Sequence, residues 1–364
     1  MDRDLLARVL TGRVDWRHTQ GHWEALLSQA RRANVTARLA DVVAQGVPTA
    51  GVPARYEVHL ASSLKLLRRA TLSMQVEVAR VAELLARAGI PCVLLKGTAY
   101  LAAGLPPARN RVFSDIDVLV PQDAMARAES ALLGGGWIAQ DLSHYHQRYY
   151  REWMHEIPPL AHIQRGSIID LHHTIVPPTS AFRVDGAALL AATRALASPR
   201  GVQVLQPCDM VLHSAVHLFT DGEFDNGLRD LLDLHELLAH FEREDAGFWD
   251  VLICRAGLLG LQRPLFHALG QAQRLLGTPL PAPVQGWLRH QVPVWPSRTL
   301  MTWLLRVGLR PNHPSCRAPG DGLARWLLYI RSHALRMPMR LLLPHLVRKA
   351  WMARFSPAPP TPPH

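Results

Sequence analysis

Two aspartates stand two residues apart in an apolar stretch, the run Phe113-Ser114-Asp115-Ile116-Asp117-Val118-Leu119-Val120. Such a run is typical of a buried strand, on which alternate side chains point to the same face. Asp115 and Asp117 are therefore expected side by side at the edge of a buried strand. Because paired carboxylates repel each other and lose hydration there, they suggest a shared divalent cation, and Mg²⁺ suits oxygen ligands. The alternative is a solvated pair at a strand end, since this spacing is common.

A second segment upstream, Leu94-Leu95-Lys96-Gly97-Thr98, resembles a strand that ends in a glycine turn and opens a helix. That arrangement offers backbone N–H groups to phosphate, although an ordinary strand-to-helix turn has the same pattern. Lys96 is one of three lysines in a chain with 37 arginines. Arg109 and Arg111 follow on a proline-rich loop, where they either bind phosphate oxygens or remain solvated loop cations.

A third acidic residue lies on a later predicted strand, in the run Ile168-Ile169-Asp170-Leu171-His172-His173. Asp170 has apolar neighbours, and a carboxylate in such a place needs a partner. Asp170 and His172 share one face of the strand, so His172 is a possible auxiliary residue of the same site. The alternative for His172 is a structural histidine of the core.

These segments, in this order, resemble the nucleotidyltransferase superfamily that includes DNA polymerase β and the aminoglycoside nucleotidyltransferases. The motifs L-K-G-x-A-x-L, R-x-R-x-x-x-D-I-D-V-L-V and I-D-L-H-H are similar to those of a bacterial family of uncharacterised nucleotidyltransferases. The resemblance covers roughly residues 60–290.

The resemblance implies a role for each matching residue. Asp115 and Asp117 correspond to the metal-binding pair, and Asp170 to the third carboxylate, which binds metal or accepts the proton of the attacking hydroxyl. Gly97 and Thr98 correspond to the positions that hold the triphosphate. The superfamily usually has Gly-Ser or Gly-Gly about ten residues before the acidic pair, whereas this chain has Lys-Gly-Thr at a longer distance. Cationic contacts are therefore expected from three residues, namely Lys96, Arg109 and Arg111.

The implied activity is Mg²⁺-dependent transfer of a nucleoside monophosphate from an NTP, with ATP as the expected donor, to an unidentified acceptor hydroxyl on a small molecule, protein or RNA. Two alternatives remain open at this point. One is a catalytically inactive nucleotide-binding or regulatory protein, and the other is an RNA-directed component of a toxin–antitoxin pair.

Two further patterns compete with this interpretation. His213 and His217, with Asp221 one turn later, have the spacing of a zinc site on a helix, but helical histidine pairs are more often structural. Arg229 and His235 have the R-x5-H spacing of a family of ribonucleases, although a polar helix face is the simpler interpretation. That helix also carries two acidic residues that could contact the α/β unit, Asp230 and Asp233.

The order of the predicted helices and strands along the chain indicates an α+β fold. We expect a small nucleotidyltransferase-type mixed sheet with helices, flanked by N-terminal and C-terminal helical regions. The expected divisions are a helical region at 1–88, a catalytic domain at 89–206, a C-terminal helical domain at 207–354 and a disordered proline-rich tail at 355–364. Strands are predicted at 92–95, 112–120, 159–163 and 167–172, with another beginning at Trp137, and helices at 54–88, 123–133, 208–220, 227–241, 247–259, 263–276, 298–309 and 322–336.

The amino-acid composition indicates a folded, globular protein. Hydrophobic residues make up 48% of the 364 residues and charged residues only 19%, which is typical of a globular chain. The net charge is +11, of which +10 lies between Arg298 and Arg354. These basic C-terminal helices are expected to bind an anionic membrane surface or RNA, or only to pack on the fold. No transmembrane segment or signal peptide is predicted, so the expected location is the cytoplasm, with a peripheral position at the inner membrane surface as the alternative.

Overall fold

The computed structural model describes residues 2–14, 16–46, 52–139, 154–220, 224–292 and 297–336. Within these ranges, one mixed sheet of seven strands lies between two helical regions, which confirms the predicted α+β fold. The strands are β1 (Cys92–Leu94), β2 (Asp115–Leu119), β3 (Trp137–Ala139), β4 (Leu160–His162), β5 (Ile168–His172), β6 (Thr193–Ala195) and β7 (Val202–Leu205). Residues 337–364, which comprise the end of the basic C-terminal segment and the proline-rich tail, lie outside the described residues.

The helices account for most of the remaining described chain. They are α1 (Leu5–Leu10), α2 (Trp23–Arg32), α3 (Thr36–Gly46), α4 (Ala54–Arg87), α5 (Lys96–Ala102), α6 (Met125–Gly134), α7 (Gly186–Leu190), α8 (Pro207–Thr220), α9 (Gly227–Glu244), α10 (Phe248–Leu258), α11 (Gln262–Gln271), α12 (Ala282–His290), α13 (Ser297–Gly308) and α14 (Asp321–Arg336). None of these helices combines the length and the apolar composition that a transmembrane span requires.

The sheet has the strand order β3-β4-β5-β2-β1-β7-β6. β2 pairs in parallel with β5 and β1 pairs in parallel with β7, while the other neighbours are antiparallel. The long helix α4 packs against β1, α5 and α6, and it buries one face, which includes Val78, Val81 and Leu85. It ends where Gly89 takes up a left-handed conformation with φ +68°, as the glycine in the sequence predicts.

Helix α8 is the central helix of the C-terminal region. Twelve of its 14 residues are buried, and it contacts α9, α10, α11 and, on the side of the sheet, α5. One contiguous apolar core extends from Leu5 through the sheet to Leu328. The helices that follow the sheet in sequence therefore pack directly on the element that carries the lysine–glycine turn.

Three differences from the predicted elements have physical explanations. Strands β6 and β7 were not predicted. β6 is a three-residue edge strand whose sequence has no alternating pattern of apolar and polar residues. Helix α12 was not predicted; prolines stand at its start, where a missing N–H costs no intrahelical hydrogen bond. The helix predicted at 263–276 consists of α11 and a π-helical turn over Ala272–Leu276.

A buried network of ion pairs joins the three regions of the chain. Asp233 on α9 accepts a hydrogen bond from Arg38 of α3 at 3.1 Å and pairs with Arg111, which precedes β2. Arg38 also contacts Glu236 at 3.0 Å, and Arg111 lies 3.7 Å from Asp230. The expectation that Asp230 or Asp233 contacts the α/β unit is thus confirmed.

Removal of the central carboxylate should destabilise the protein strongly. The side chain of Asp233 is only 2% exposed, so Asp233→Asn removes the charge that two buried guanidinium groups share and leaves each with one acidic partner that is less buried, Glu236 or Asp230. We expect a loss of about 3–5 kcal/mol in the free energy of unfolding, measured by urea denaturation. Asp2→Asn, which breaks an exposed pair with Arg8, should cost under about 1 kcal/mol. Equal, small losses in both variants would contradict the role given to the network.

Candidate active site

The parallel register of β2 and β5 brings two of the predicted carboxylates together. Asp117 pairs with Asp170, and Asp115 lies two residues earlier on the same face of β2. Adjacent strands are separated by about 4.8 Å, so the two side chains stand beside each other on one face of the sheet. The opposite face carries Ile116 and Val118, both fully buried. The apolar flanks seen in the sequence therefore fix which face carries the acidic residues.

Asp117 is the most enclosed of these acidic residues, with a side chain that is 7% exposed. Its Oδ1 accepts a hydrogen bond from Lys96 Nζ at 3.1 Å and lies 3.0 Å from His172 Nε2. Burial opposes ionisation, but the charge of Lys96 and the hydrogen bond of His172 outweigh it and hold the pKa of Asp117 well below its usual range. Asp117 is thus a carboxylate anion held between two cationic or hydrogen-bonding groups.

Asp170 is in the opposite electrostatic situation. Its Oδ1 is buried and has no hydrogen-bond partner among the described residues. Burial, followed by the nearby charges of Asp117 and Glu156, raises the pKa of Asp170 to about 7. Asp170 Oδ1 therefore lies beside the ionised Asp117 with no cationic or hydrogen-bonding group of its own among the described residues.

Asp115 is half-buried and accepts a hydrogen bond from the Ser114 hydroxyl at 2.9 Å. Its charge helps to raise the pKa of Lys96, although the charge of Asp117 contributes more and burial acts in the opposite direction. Asp115, Asp117 and Lys96 therefore belong to one electrostatic group.

Lys96 has an unusual backbone conformation, with φ +45°. Residues other than glycine rarely adopt this left-handed region, and such residues concentrate at functional sites. The backbone N–H of the preceding Leu95 donates to the carbonyl of Asp117 at 3.0 Å, which anchors the turn on β2. This turn directs the ammonium group of Lys96 onto Asp117.

The other predicted triphosphate residues lie in different surroundings. A Cβ added to Gly97 would meet Arg111 Nε at 3.0 Å, so the absence of a side chain allows the arginine to approach. Thr98 donates its hydroxyl hydrogen bond to Leu95 O at 3.2 Å, and it lines a cavity of about 270 Å³ together with Val78 and Pro199. The Thr98 hydroxyl is therefore engaged with its own turn and not with the carboxylates.

The two predicted arginines point to α9. Arg111 is paired with Asp233 and Asp230, as described above, and Arg109 is exposed and acts electrostatically on Glu236. Of the five residues predicted around the triphosphate, Lys96 is the one whose side chain the structure brings into contact with an acidic residue of the β2 group.

Two residues of the site were missed in the sequence analysis. Glu156 forms an isolated antiparallel bridge with His172, and its Oε2 lies 3.2 Å from His172 Nδ1. His155 precedes it, with its ring centroid 5.1 Å from that of His172. The available signal was a histidine and a glutamate between two apolar residues, Met154 and Ile157, just before a predicted strand.

The competing histidines of α8 lie near the same site, His213 buried and His217 half-buried. Burial, followed by the positive charge of Lys96, holds the pKa values of His213 and His217 well below the usual range. Asp221, the third member of that predicted zinc pattern, lies outside the described residues. The arrangement brings neutral imidazoles of the C-terminal region next to Lys96 and Asp117.

The R-x5-H pair has two separate sets of contacts. Arg229 forms an ion pair with Asp230 at 2.8 Å, and His235 Nδ1 lies 2.8 Å from the Thr278 hydroxyl. Burial, and to a smaller extent the charge of Arg38, lowers the pKa of His235. These contacts are those of a helix that packs between regions of the chain.

One comparison with known proteins identifies the family of the chain. A family model described as uncharacterised nucleotidyltransferase matches residues 19–277, well over half of the chain. No curated protein and no solved structure gives a significant match. The chain belongs to this nucleotidyltransferase family, which implies a nucleotide substrate and nucleotidyl transfer in general terms.

The raised pKa of Asp170 predicts how stability depends on pH in protein freed of metal by EDTA. The folded chain binds this proton near pH 7, whereas an unfolded aspartate has a pKa near 3.8, so stability is lost as the pH rises through about 7. Asp170→Asn should therefore raise the free energy of unfolding at pH 8 by about 2 kcal/mol, and this gain should shrink as the pH falls toward 5.

The measurement is urea denaturation of both proteins at pH 5 and pH 8. Asp123→Asn, the same change at an exposed aspartate, should stay within about 0.5 kcal/mol of the parent protein at both pH values. A variant at Asp170 that is less stable than the parent at pH 8 would contradict the electrostatic description of the site.

Proposed function

We propose that this chain is a Mg²⁺-dependent nucleotidyltransferase that transfers a nucleoside monophosphate from an NTP to an acceptor hydroxyl. The observation that carries the proposal is the in-register placement of Asp117 beside Asp170, with Asp115 on the same face. ATP is the first donor to test. Retention of all three acidic residues favours an active enzyme over a nucleotide-binding protein without turnover.

The donor set fits a divalent metal ion. Three carboxylates supply the oxygen ligands that Mg²⁺ prefers, and the buried Asp170 Oδ1 has no hydrogen-bond partner among the described residues. Asp115 and Asp117 would hold the ion, and Asp170 would either join them or accept the proton of the attacking hydroxyl. The ion supplies charge neutralisation and polarisation of phosphate oxygens when it is bound. The same ion would relieve the repulsion between Asp117 and Asp170.

Asp170 has the properties of the proton acceptor for the attacking hydroxyl. A general base works best when its pKa lies near the working pH, and burial together with Asp117 and Glu156 raises the pKa of Asp170 to about 7. Asp117, by contrast, remains ionised because Lys96 and His172 contact it directly. The two neighbouring carboxylates are therefore suited to different roles, one as proton acceptor and one as permanent anion.

Lys96 is the cation that we assign to the triphosphate. Its ammonium group contacts Asp117 Oδ1, the oxygen that a divalent cation would also seek, so occupation of the carboxylates leaves Lys96 free to neutralise phosphate charge. Arg111 is less suited to this role, because the carboxylate of Asp233 is already paired with it.

Neutralisation of the acidic residues should abolish transfer. We expect Asp115→Asn and Asp117→Asn each to lower the rate at least about 100-fold, since metal-bound charge stabilises the transition state by several kcal/mol. The assay incubates the purified chain with each α-labelled NTP, Mg²⁺ and a cell lysate, and identifies the molecule that becomes labelled. Asp123→Asn is the matched control and should label at the parent rate. Full labelling when Asp115 and Asp117 are both replaced would refute the proposal.

The lysine assignment has its own test. Lys96→Met should lower kcat/KM for the NTP about 10- to 100-fold, as expected when one charge-assisted hydrogen bond is lost. Lys65→Met removes an exposed lysine of α4 and should leave kcat/KM unchanged. If both variants kept the parent value, phosphate binding by Lys96 would be excluded.

A further inference from the structure

Three side chains next to the acidic residues form a separate cluster of possible metal ligands. His155, Glu156 and His172 each offer one ligand atom, and the three atoms lie within 4.8 Å of one another. Glu156 Oε2 lies 3.2 Å from His172 Nδ1 and 3.9 Å from His155 Nε2. In a tetrahedral zinc site with bonds of 2.0–2.2 Å, neighbouring ligand atoms are about 3.3 Å apart. The cluster is therefore close to the dimensions of such a site.

The backbone around the cluster is fixed by hydrogen bonds to β5. Ile157 N donates to Leu171 O at 3.1 Å and His173 N donates to His155 O at 2.9 Å, on either side of the bridge between Glu156 and His172. The ligands therefore come from two paired extended segments. A site built on paired backbone holds its geometry before the ion arrives.

The two nitrogen atoms of His172 have carboxylates on both sides. Nε2 lies 3.0 Å from Asp117 Oδ1, and Nδ1 lies 3.2 Å from Glu156 Oε2. In the neutral tautomer whose Nε2–H donates to Asp117, the lone pair of Nδ1 faces Glu156 Oε2. A cation placed there would replace the Nδ1 proton that otherwise joins the imidazole to Glu156.

Asp117 is positioned to accept a hydrogen bond from the ring nitrogen of His172 that does not face the cluster. A histidine that binds metal through one nitrogen usually donates its other N–H to a carboxylate, which fixes the tautomer and the ring orientation. Here Asp117 Oδ1 is that acceptor for His172.

We infer that His155, Glu156 and His172 bind a divalent transition-metal ion, with Zn²⁺ as the representative probe. Two imidazoles and one carboxylate form a ligand set of nitrogen and oxygen that suits zinc and its neighbours, whereas the all-oxygen set at Asp115, Asp117 and Asp170 suits Mg²⁺. Three protein ligands leave a fourth position for water. This second site does not depend on the proposed nucleotidyl transfer.

The test is zinc binding by the full chain, first stripped of metal with a chelator. Equilibrium dialysis followed by elemental analysis should give one tightly bound Zn²⁺ per chain in the presence of excess Mg²⁺. His155→Ala and Glu156→Gln should each weaken zinc binding at least tenfold. X-ray absorption on the zinc-loaded protein should show two imidazole ligands at about 2.0–2.1 Å in the parent and one in His155→Ala.

Two matched variants separate the possible outcomes. His240 forms a pair with Glu244 at 3.1 Å on α9, so His240→Ala removes a histidine–glutamate pair elsewhere and should leave zinc affinity unchanged. Asp115→Asn should keep zinc affinity within about twofold while nucleotidyl transfer is lost, which distinguishes the two sites. Circular dichroism confirms that each variant is folded. Zinc affinity that is equal in the parent and in His155→Ala, or that falls only with Asp115→Asn, would overturn the inference.

Discussion

The in-register pairing of β2 with β5 places the carboxylates of Asp117 and Asp170 side by side, and the surrounding structure offsets the electrostatic cost. Neither strand can shift by one residue, because a shift would turn Ile116 and its apolar neighbours to the polar face. The apolar face of the sheet therefore fixes the positions of the acidic residues. Asp117 remains ionised because Lys96 and His172 contact it, whereas Asp170, with no such partner among the described residues, has a pKa of about 7.

A second set of buried charges holds the helical regions on the sheet. Asp233 of α9 pairs both with Arg38 of the N-terminal region and with Arg111, the residue that leads into β2. Arg111 in turn packs on Gly97, directly after the lysine that contacts Asp117. The turn that carries Lys96 is thus fixed on one side by β2 and on the other by α9. Displacement of α9 would remove support from both the turn and the entry to β2.

Local patterns in the sequence were sufficient to predict the acidic strand, the later strand with Asp170 and the contact of α9 with the α/β unit. Local patterns could not predict the role of a residue whose partner is distant in the sequence. The parallel pairing that unites Asp117 with Asp170 joins segments 53 residues apart, so spacing could only suggest it. Glu156 is attached to the site through an isolated bridge to His172, and its local sequence resembles many short loops. Arg111 forms its ion pair with Asp233, which lies 122 residues later in the sequence.

The two kinds of cation in this region are not interchangeable. A guanidinium group is a planar fork, which suits Arg111 to its position between Asp230 and Asp233. An ammonium group is a compact point charge on a flexible stem, which suits Lys96 to its position beside Asp117 and to the proposed exchange with phosphate. In a chain with 37 arginines and three lysines, the cation that we propose to exchange Asp117 for phosphate is a lysine. Arg38 and Arg111, by contrast, each lie between two carboxylates of α9. Substitution of arginine for Lys96 would therefore preserve the charge but favour a fixed pair with Asp117 over exchange.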